Sequence, residues 1–399
     1  MKICIVSHEY PPNIISGCGT ALNTLAKGLV KNGHEITIIT PLLRTDKERE
    51  ESKNLTIIRI PLTGSMILRI LSRIDSRIAF SFALRKFKKH FTFTQFDILH
   101  VYDVHDSYFL NKKLTSVQTI ISVNDYYAFI TPLNIFKFPY PTPNKIKRYI
   151  HAMLTKTLNK MFLKKASLII ALTEYSKDVL RKKCNIAEKK IRVIYRGMEI
   201  KKFRQSRNKY TSMKILYIGS NMERKGVPYI IDAMPTILKT YPESHLTIIG
   251  KTNPALQKLL KEKIQNNKLQ DKITIMEYIP SEKIPSYFED ANVFILPAII
   301  ENLAVTVLEA MSSKTPVVTT GVGGHEEAIS SGSGILINPG SSEEISNAII
   351  QIFSNPQKAK QMGENALKII HEKFSQQRMI DEVDVEYQKL ISQLSQRKS

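Results

Sequence analysis

The sequence predicts an α/β protein built from two successive doubly wound domains, in which helices cover both faces of a parallel sheet. Short apolar runs of strand length alternate with segments of helical periodicity along most of the 399 residues. The polar stretch 196–212 interrupts this alternation, and the strand-like run KILYIG restarts it at 214–219. A chain of this length is expected to form two or three domains, so we interpret 196–212 as a linker.

The first predicted domain, residues 1–195, begins with a strand, a helix and a second strand. The apolar run KICIVS is followed by the loop HEYPPNIISGCG and then by TALNTLAKGLVKNG, whose apolar residues recur at helical spacing. Gly33 stands where a helix C-cap glycine is expected, and EITIIT is the next strand. The order of these elements predicts parallel strands. Further strands are predicted at 97–102, 119–123, 167–172 and 191–195.

The second predicted domain, residues 213–375, repeats this pattern. After KILYIG, strands are predicted at 245–250, 273–278, 293–297, 316–320 and 334–338. The tail, 342–396, has a helical pattern and no strand. Ligands of doubly wound sheets bind beside the carboxyl ends of the strands, so we expect the functional residues in the loops there, at a cleft between the domains.

The chain carries a formal charge of +22, and the excess lies in its first half. Residues 1–200 contain 33 Lys and Arg against 15 Asp and Glu, whereas residues 201–399 contain 25 against 21. This asymmetry indicates an anionic partner for the first half and leaves a membrane, an anionic lipid substrate and a nucleic acid open. Cys4, Cys18 and Cys184 form no CxxC or Cys/His cluster, which argues against structural zinc and favours a reducing compartment.

Two basic segments of the first domain have the amphipathic pattern of helices that rest on a membrane. In the segment 66–91, Arg69, Arg73 and Arg77 share one helix face, and apolar residues lie on another. The segment 137–165 is similar. The alternative is that both helices pack their apolar faces on the sheet. The sequence has neither a recognisable secretory signal nor a run of about eighteen apolar residues, so we expect a cytoplasmic protein that is either soluble or peripheral on the membrane.

The loop after KILYIG carries residues suited to a phosphate. It begins with Gly219 and Ser220, and it holds Arg224 and Lys225 just before a predicted helix. Cations beside a helix N-terminus bind phosphate, although a solvated basic turn has the same composition. The loop is therefore a candidate site only in combination with a second feature.

The segment PAIIENLAVTVLEAM, 297–311, is that second feature, with Glu301 and Glu309 in an otherwise apolar stretch. A helix is predicted from about Asn302 to Ser312, and its first N–H groups would form an anion site. A carboxylate there is useful if it accepts hydrogen bonds from hydroxyls beside the phosphate. Glu309 would lie about 12 Å further along the helix, roughly the spacing of hydroxylated groups on either side of a diphosphate. The alternative for Glu309 is a solvent-facing position.

These features together resemble the retaining glycosyltransferase family 4, which has the GT-B fold of two Rossmann-like domains facing a central cleft. The resemblance covers nearly the whole chain and includes the family's Glu, seven residues, Glu signature at 301–309. The other segments that carry it are EYPP with its glycine loop, LAKGLVKNGHEITIIT, FDILHVYD, VIYRGMEIKKF and ILYIGSNMERKGVPYIIDA. It implies an acceptor-binding first domain, on which the C-terminal helix, about 376–396, packs back, and a donor-binding second domain, 213–375.

The resemblance implies a role for each matching residue. Glu301 would contact hydroxyls of the donor sugar, and Glu309 would bind the ribose of the nucleotide. Lys225 would neutralise the diphosphate as it leaves, and Gly17 would approach the donor from the amino-terminal loop. The amides that would hold the distal phosphate are those of Asn302, Leu303 and Ala304.

The implied reaction moves a sugar from a nucleoside diphosphate sugar to an acceptor hydroxyl with retained anomeric configuration. The acceptor would be a glycan or a lipid-linked molecule, as in polysaccharide or glycolipid biosynthesis. Neither a metal nor a cofactor is implied, because cations and helix dipoles stabilise the leaving diphosphate.

Three positions depart from the family pattern. Ser16, before Gly17, replaces the first of two glycines. Ser220 stands where an arginine commonly follows the glycine, and Arg224 is expected to be offset and to point out. Asn124 stands where many members carry a histidine near the acceptor; asparagine cannot act as a base but can orient a hydroxyl. All of these except Ser16 remain candidate site residues, with Asn124 at a catalytic position.

Other functions remain open at this stage. A basic nucleic-acid-binding protein would need a known module or interleaved aromatic residues, and the sequence has neither. A nucleotide-sugar epimerase or a phosphorylase would use the same fold. A dinucleotide-binding dehydrogenase is disfavoured, because Leu22 stands where GxGxxG needs its third glycine. His8, Asp103 and Asp106 follow strands and either contact the acceptor or have ordinary structural roles.

Overall fold

The computed structural model describes residues 1–13, 17–42, 47–62, 76–109, 117–124, 145–203, 212–330 and 332–398. The chain divides into two compact units. The first unit contains 1–131, 150–197 and 376–399, and the second contains 132–149 and 198–375. Residues 145–149 were expected in the first domain but cluster with the second, and the expectation for 132–144 lies outside the described residues. The part of the predicted linker at 204–211 lies outside the described residues.

An eight-stranded sheet forms the centre of the first unit. Its strands are β1 Lys2–Val6, β2 Glu35–Leu42, β3 Arg49–Ser52, β4 Leu55–Pro61, β5 Ile98–Val101, β6 Gln118–Val123, β7 Leu168–Ala171 and β8 Ile191–Val193. The strand order is β3-β4-β2-β1-β5-β6-β7-β8, with β3 antiparallel to β4 and the other described pairs parallel. The predicted strands are confirmed. The pair β3–β4 was not predicted, because the exposed polar sequence REES of β3 has no apolar pattern.

A six-stranded parallel sheet forms the centre of the second unit. Its strands are β9 Lys214–Ile218, β10 His245–Ile249, β11 Ile273–Met276, β12 Val293–Leu296, β13 Val317–Thr320 and β14 Gly334–Ile337. The order is β11-β10-β9-β12-β13-β14, so the direction of winding reverses between β9 and β12. Ligands of doubly wound sheets bind at such a reversal, outside the carboxyl ends of the strands. A ligand site is therefore expected in the loops after β9 and β12.

Helices connect the strands and cover the sheets. They are α1 Gly17–Lys31, α2 Ser76–Phe87, α3 Lys145–Leu163, α4 Glu174–Cys184, α5 Val227–Thr240, α6 Pro254–Asn266, α7 Ile284–Asp290, α8 Val305–Ser312, α9 His325–Ala328, α10 Ser342–Ser354, α11 Pro356–Lys373 and α12 Gln376–Lys398. The helix α1 begins at Gly17, three residues earlier than expected, and its C-cap glycine is confirmed by the positive φ of Gly33, 86°.

The C-terminal helix α12 packs against α1 within the first unit. Gly28 of α1 leaves room for Ile380, whose Cδ1 would lie only 2.3 Å from an added Cβ. Asp384 accepts a hydrogen bond from Asn32 at 2.8 Å and lies 2.9 Å from Nε2 of His34. The last helix of the chain thus completes the core of the unit with which the chain begins.

The two basic segments are only partly described. Arg69 and Arg73 lie outside the described residues, and so does the part of the second segment before α3, residues 137–144. The described parts are the helices α2 and α3 with the residues that follow them. Among the helices that the structure describes, none combines the length and the apolar composition needed to cross a bilayer.

Candidate functional site

The loops that follow β9 and β12 are held together by close backbone contacts. The N–H of Ile299 donates to the carbonyl of Arg224 at 2.9 Å. Gly226 has a φ of 75°, and an added Cβ would lie 2.1 Å from the carbonyl oxygen of Pro297. Only glycine fits there without displacing one of the loops. The contact fixes the position of Lys225, which lies between these two points in the chain.

Glu301 lies at the centre of the site, with two cations near its carboxylate. Its Oε2 is 3.4 Å from Arg224 and 3.7 Å from Lys225 Nζ. Burial lowers the pKa of Lys225, and Glu301 opposes this shift. All three side chains are at most 20% exposed, so solvent screens their interactions only weakly. The arrangement can bind an anion through the cations and hydroxyl groups through the carboxylate.

The expectation that Arg224 points out is wrong. Its guanidinium faces Glu301 and also donates from Nη1 to the carbonyl of Ile300 at 2.8 Å. Arg224 ends a tight turn that starts at Asn221, where φ is 56°, and its N–H donates to the carbonyl of Asn221 at 3.0 Å. Ser220, which stands where the family commonly has an arginine, is exposed and supplies no cation. Arg224 places a cation near the site instead.

The predicted start of the helix after β12 is also wrong. The helix α8 begins at Val305 rather than Asn302, because Ala304 has an extended conformation with φ −68° and ψ 127°. Residues 301–304 therefore form a loop, and the separation of about 12 Å expected for a continuous helix to Glu309 does not apply. The N–H of Asn302 donates to Oε1 of Glu301 at 3.1 Å.

His325 is a residue of the site that the sequence analysis missed. Its Nε2 lies 3.4 Å from the N–H of Ala304, one of the three amides expected to hold a phosphate. Burial lowers the pKa of His325 to about 4, so the ring is neutral and can accept this hydrogen bond. The amides of Asn302 and Ala304 thus contact groups of the protein, whereas the structure describes no hydrogen bond for that of Leu303. In the sequence, the one sign that His325 belongs to the site is its position just after β13, in a loop at the carboxyl end of a strand.

Glycines after β9 and β13 complete the floor of the site. An added Cβ on Gly219 would lie 2.9 Å from Lys225 Nζ, so the ammonium group rests against this glycine. Gly323, with a φ of 59°, lies in the loop after β13. A Cβ added to it would lie only 2.1 Å from the carbonyl oxygen of Glu301, so the two loops are in close contact. Three strand ends therefore converge on the loop that carries Glu301.

Two family models match consecutive parts of the chain. Residues 15–202 match Glycosyltransferase Family 4, and residues 199–369 match Glycosyl transferases group 1. The chain belongs to glycosyltransferase family 4. It is therefore a glycosyltransferase, and the cluster of Arg224, Lys225 and Glu301 is its candidate active site.

Similar proteins agree with this assignment. The α-monoglucosyldiacylglycerol synthase of Acholeplasma laidlawii is 24% identical over 395 residues, which cover 92% of each protein. The sucrose-phosphate synthase of Thermosynechococcus elongatus has a TM-score of 0.80 at 20% identity, over 98% of this chain and 99% of that one. The Anabaena protein HepE in complex with UDP-glucose has a TM-score of 0.72 at 15% identity, over 98% and 100%. These likenesses, together with the two parallel sheets and the C-terminal helices, confirm the GT-B fold.

Glu309 of this glycosyltransferase lies in the second turn of α8 and is partly buried. Burial raises the pKa of its carboxyl group to about 7, although Lys202 and Lys225 act in the opposite direction. The group therefore changes its charge near neutral pH. The position is not the solvent-facing one that the alternative interpretation required.

Two predicted site residues, Gly17 and Asn124, lie in the first unit of the glycosyltransferase. Gly17 is the first residue of α1. Asn124 follows β6 and donates from Nδ2 to the carbonyl of Tyr102. It lines a cavity of about 30 Å³ at the carboxyl ends of the strands, which has room for a water molecule. The other polar residues that line the cavity are His100, Tyr102, Ser122 and Arg196.

His8 and Asp106 are brought together where the winding of the first sheet reverses, between β1 and β5. Both the backbone N–H and Nδ1 of His8 contact Oδ2 of Asp106, at 3.0 and 2.9 Å. Burial alone would lower the pKa of His8, but the carboxylates of Asp106, Glu9 and Asp103 together outweigh it, and the pKa is raised to about 11. Asp103 pairs separately with His105 at 2.7 Å. All three candidates therefore belong to His–Asp pairs within the first unit.

Proposed function

We propose that this glycosyltransferase moves a sugar from a nucleoside diphosphate sugar to an acceptor hydroxyl, with retained anomeric configuration and without a metal ion or cofactor. The observation that carries the proposal is the cluster of Arg224, Lys225 and Glu301 at the reversal of the second sheet. The cations suit a diphosphate, and the carboxylate suits sugar hydroxyls. The cluster thus matches both parts of such a donor.

In the proposed reaction, the diphosphate is the leaving group. The bond between the anomeric carbon and the phosphate oxygen breaks, and its electron pair stays on the phosphate. A bond forms to the acceptor oxygen on the same face, and the acceptor proton passes to the departing phosphate oxygen. Lys225 and Arg224 stabilise the charge that develops on the diphosphate, which is the contribution a metal ion would otherwise make.

The carboxylates would hold the two hydroxylated parts of the donor. Glu301 would accept hydrogen bonds from the sugar, beside the two cations that lie within 4 Å of its carboxylate. Glu309 would accept hydrogen bonds from the ribose. Asn124 would orient the acceptor hydroxyl, and Gly17 would approach the donor. Leu303 offers a backbone amide beside the loop for the distal phosphate.

The acceptor is proposed to be a glycan or a lipid-linked molecule rather than a nucleic acid. The relative named as a monoglucosyldiacylglycerol synthase supports a lipid acceptor, and the likeness to a protein bound to UDP-glucose supports the class of donor. An enzyme with such an acceptor would meet it on the cytoplasmic face of a membrane. The surface that we propose for this contact lies on α2 and α3.

This surface, which we call the α2–α3 patch, combines exposed apolar side chains with cations. Its apolar members are Phe82, Met153, Leu158 and Met161, which are 37–48% exposed. Lys88 and Lys165 lie close to Arg85. Burial lowers the pKa of both lysines, and the neighbouring guanidinium of Arg85 lowers it further. Cations grouped beside exposed apolar side chains favour an anionic bilayer, since the two contributions add.

A thermal-shift screen tests the proposed donor. We expect one of UDP, GDP or ADP, or its sugar conjugate, to raise the melting temperature by several degrees at saturating concentration, since it binds only the folded protein. No shift with any of them would contradict the proposal. Full activity in the presence of a chelator and an α-linked product from an α-linked donor are expected as well.

The substitution Glu301→Gln tests the role of the carboxylate. It keeps the shape but removes the charge, so we expect the transfer rate to fall about 100-fold while the fold remains. The exposed Glu282→Gln is the matched control and should have wild-type activity. Donor turnover without an acceptor would instead indicate an epimerase, and release of the sugar by inorganic phosphate a phosphorylase.

A further inference from the structure

Tyr217 is a buried polar residue that the proposed mechanism does not use. It lies on β9, one residue before the end of the strand, and has no exposed surface. Among the residues that the structure describes, none forms a hydrogen bond with its hydroxyl. Burying an unpaired hydroxyl is unfavourable, so a tyrosine that keeps one in a strand requires an explanation.

The hydroxyl of Tyr217 points to the phosphate-binding loop. Residues two apart in a strand share a face, which puts the side chain of Tyr217 on the same side as Gly219. An added Cβ on Gly219 would lie 3.1 Å from the Tyr217 hydroxyl and 2.9 Å from Lys225 Nζ. The hydroxyl and the ammonium group thus face the same point beside the glycine.

The charges around Tyr217 indicate what it would bind. Arg224, Glu301 and Glu223 all act on it electrostatically, and burial raises the pKa of its hydroxyl well above the ordinary value, so that it stays protonated. Lys225 and Arg224 are hydrogen-bond donors and cannot accept its proton. A phosphoryl oxygen can accept from the hydroxyl and from a cation at the same time.

We propose that the Tyr217 hydroxyl donates a hydrogen bond to a phosphoryl oxygen of the nucleoside diphosphate, next to Lys225 and Gly219. This assignment rests on the proposed function, because it assumes that the loop after β9 binds the diphosphate. It adds a neutral donor to the two cations of the site. A neutral group can orient the phosphate without adding to the charge that binds it.

A competing explanation lies within the protein. Glu223 is also buried, and its Oε2 has no hydrogen-bond partner among the described residues. If the hydroxyl served this carboxylate through a small movement, its role would be structural. Removal of the hydroxyl would then destabilise the protein without affecting the ligand.

The variant Tyr217→Phe separates these explanations, because it keeps the ring and removes only the hydroxyl. The full chain is titrated calorimetrically with UDP, or with GDP or ADP if the thermal-shift screen selects one of them. We expect Kd to rise at least tenfold, which is the effect of losing a hydrogen bond to a charged group, while the melting temperature without ligand stays the same or rises. The control is Tyr287→Phe, whose hydroxyl contacts the sulfur of Met276 and should leave Kd unchanged.

An unchanged Kd would overturn the proposal, whether the melting temperature rises or falls. A lower melting temperature of Tyr217→Phe would indicate that the hydroxyl stabilises the protein through Glu223. A higher one would indicate that the hydroxyl is buried without a partner. Uridine, or the matching nucleoside, is the second probe, and an equal loss of its affinity would contradict a contact with phosphate. If the wild-type protein bound no nucleoside diphosphate, the proposed function would fail as well, which distinguishes that failure from a failure at Tyr217 alone.

Discussion

Glu301 and Glu309 have the same chemistry but different surroundings. Glu301 has two cations within 4 Å, which compensate for the loss of its hydration. Glu309 is farther from its cations Lys202 and Lys225, and burial dominates, so its pKa is raised to about 7. Glu309 therefore titrates in the physiological range. We therefore predict that nucleotide binding through Glu309 depends on pH.

We expect the affinity for the nucleoside diphosphate to rise with pH because of Glu309. With a pKa of about 7, the group is about 10% ionised at pH 6 and about 90% at pH 8, and the ionised form is the better acceptor for ribose hydroxyls. Calorimetric Kd values should fall up to about tenfold more over this interval than those of Glu309→Gln. The titration of the phosphate itself affects both proteins equally, so the difference between them isolates Glu309.

The same shift has a consequence for stability. Because the folded-state pKa is raised from the ordinary value of 4.5, the contribution of Glu309 to stability is fully present below pH 4.5 and is lost as the pH rises through 7. Glu309→Gln should therefore have a higher melting temperature than the wild type at pH 8, without ligand. Equal melting temperatures at pH 8 and parallel Kd profiles would contradict this account.

At the scale of the elements, the site depends on how closely the loops after β9, β12 and β13 approach one another. Gly226 and Gly323 both have a positive φ and both leave no space for a Cβ. The contact of Gly226 with Pro297 sets the position of Lys225, and that of Gly323 supports the loop of Glu301. A side chain at either glycine would separate the loops and displace the charged groups.

Gly226→Ala should reduce both stability and nucleotide binding. The Cβ would lie 2.1 Å from a backbone oxygen, so we expect a loss of about 2–4 kcal/mol in the free energy of unfolding. Gly340→Ala is the matched control: its φ of 83° is similar, but the nearest atom is 3.4 Å away. It should lose only about 1 kcal/mol and keep its nucleotide affinity. Equal effects of the two substitutions in urea unfolding would show that the close contact is unimportant.

At the scale of the whole molecule, the charge is unevenly distributed along the chain. The first 200 residues hold 33 of the 58 basic side chains but only 15 of the 36 acidic ones. In the α2–α3 patch of this half, Arg85 lies 5.1 Å from the centre of the Phe82 ring, and Lys88 and Lys165 lie close to Arg85. This combination suggests a surface whose binding to lipid depends on both charge and apolar contact.

We expect the protein to sediment with vesicles that contain phosphatidylglycerol and to be released as salt is raised, because salt screens exposed charges. Neutral phosphatidylcholine vesicles should retain much less. Replacing Met153, Leu158 and Met161 by serine should weaken binding several-fold by removing apolar contact. The matched control replaces the exposed apolar residues Ile275 and Leu336 of the second unit. Vesicle binding that is unchanged by salt and by these substitutions would exclude the α2–α3 patch as the membrane-contacting surface.

The sequence by itself determined the fold and the family of this protein. Strand-length apolar runs such as KILYIG and VFILP predict parallel sheets because both faces of such strands are buried. The spacing of Glu301 and Glu309, in its strand–loop–helix context, was also readable, since neighbouring residues in the chain carry that signal. These features are local or periodic, and a linear sequence records both.

The tertiary structure decided the details of the site, because they depend on residues far apart in the chain. The inward direction of Arg224 follows from its contact with Ile300, and the hydrogen bond between Ala304 and His325 joins loops that follow different strands. The later start of α8 and the unpartnered hydroxyl of Tyr217 also depend on how distant parts of the chain pack together. Burial and charge pairing are properties of the packed molecule, so only the structure could assign the pKa of Glu309 or reveal Tyr217 as a candidate ligand of the phosphate.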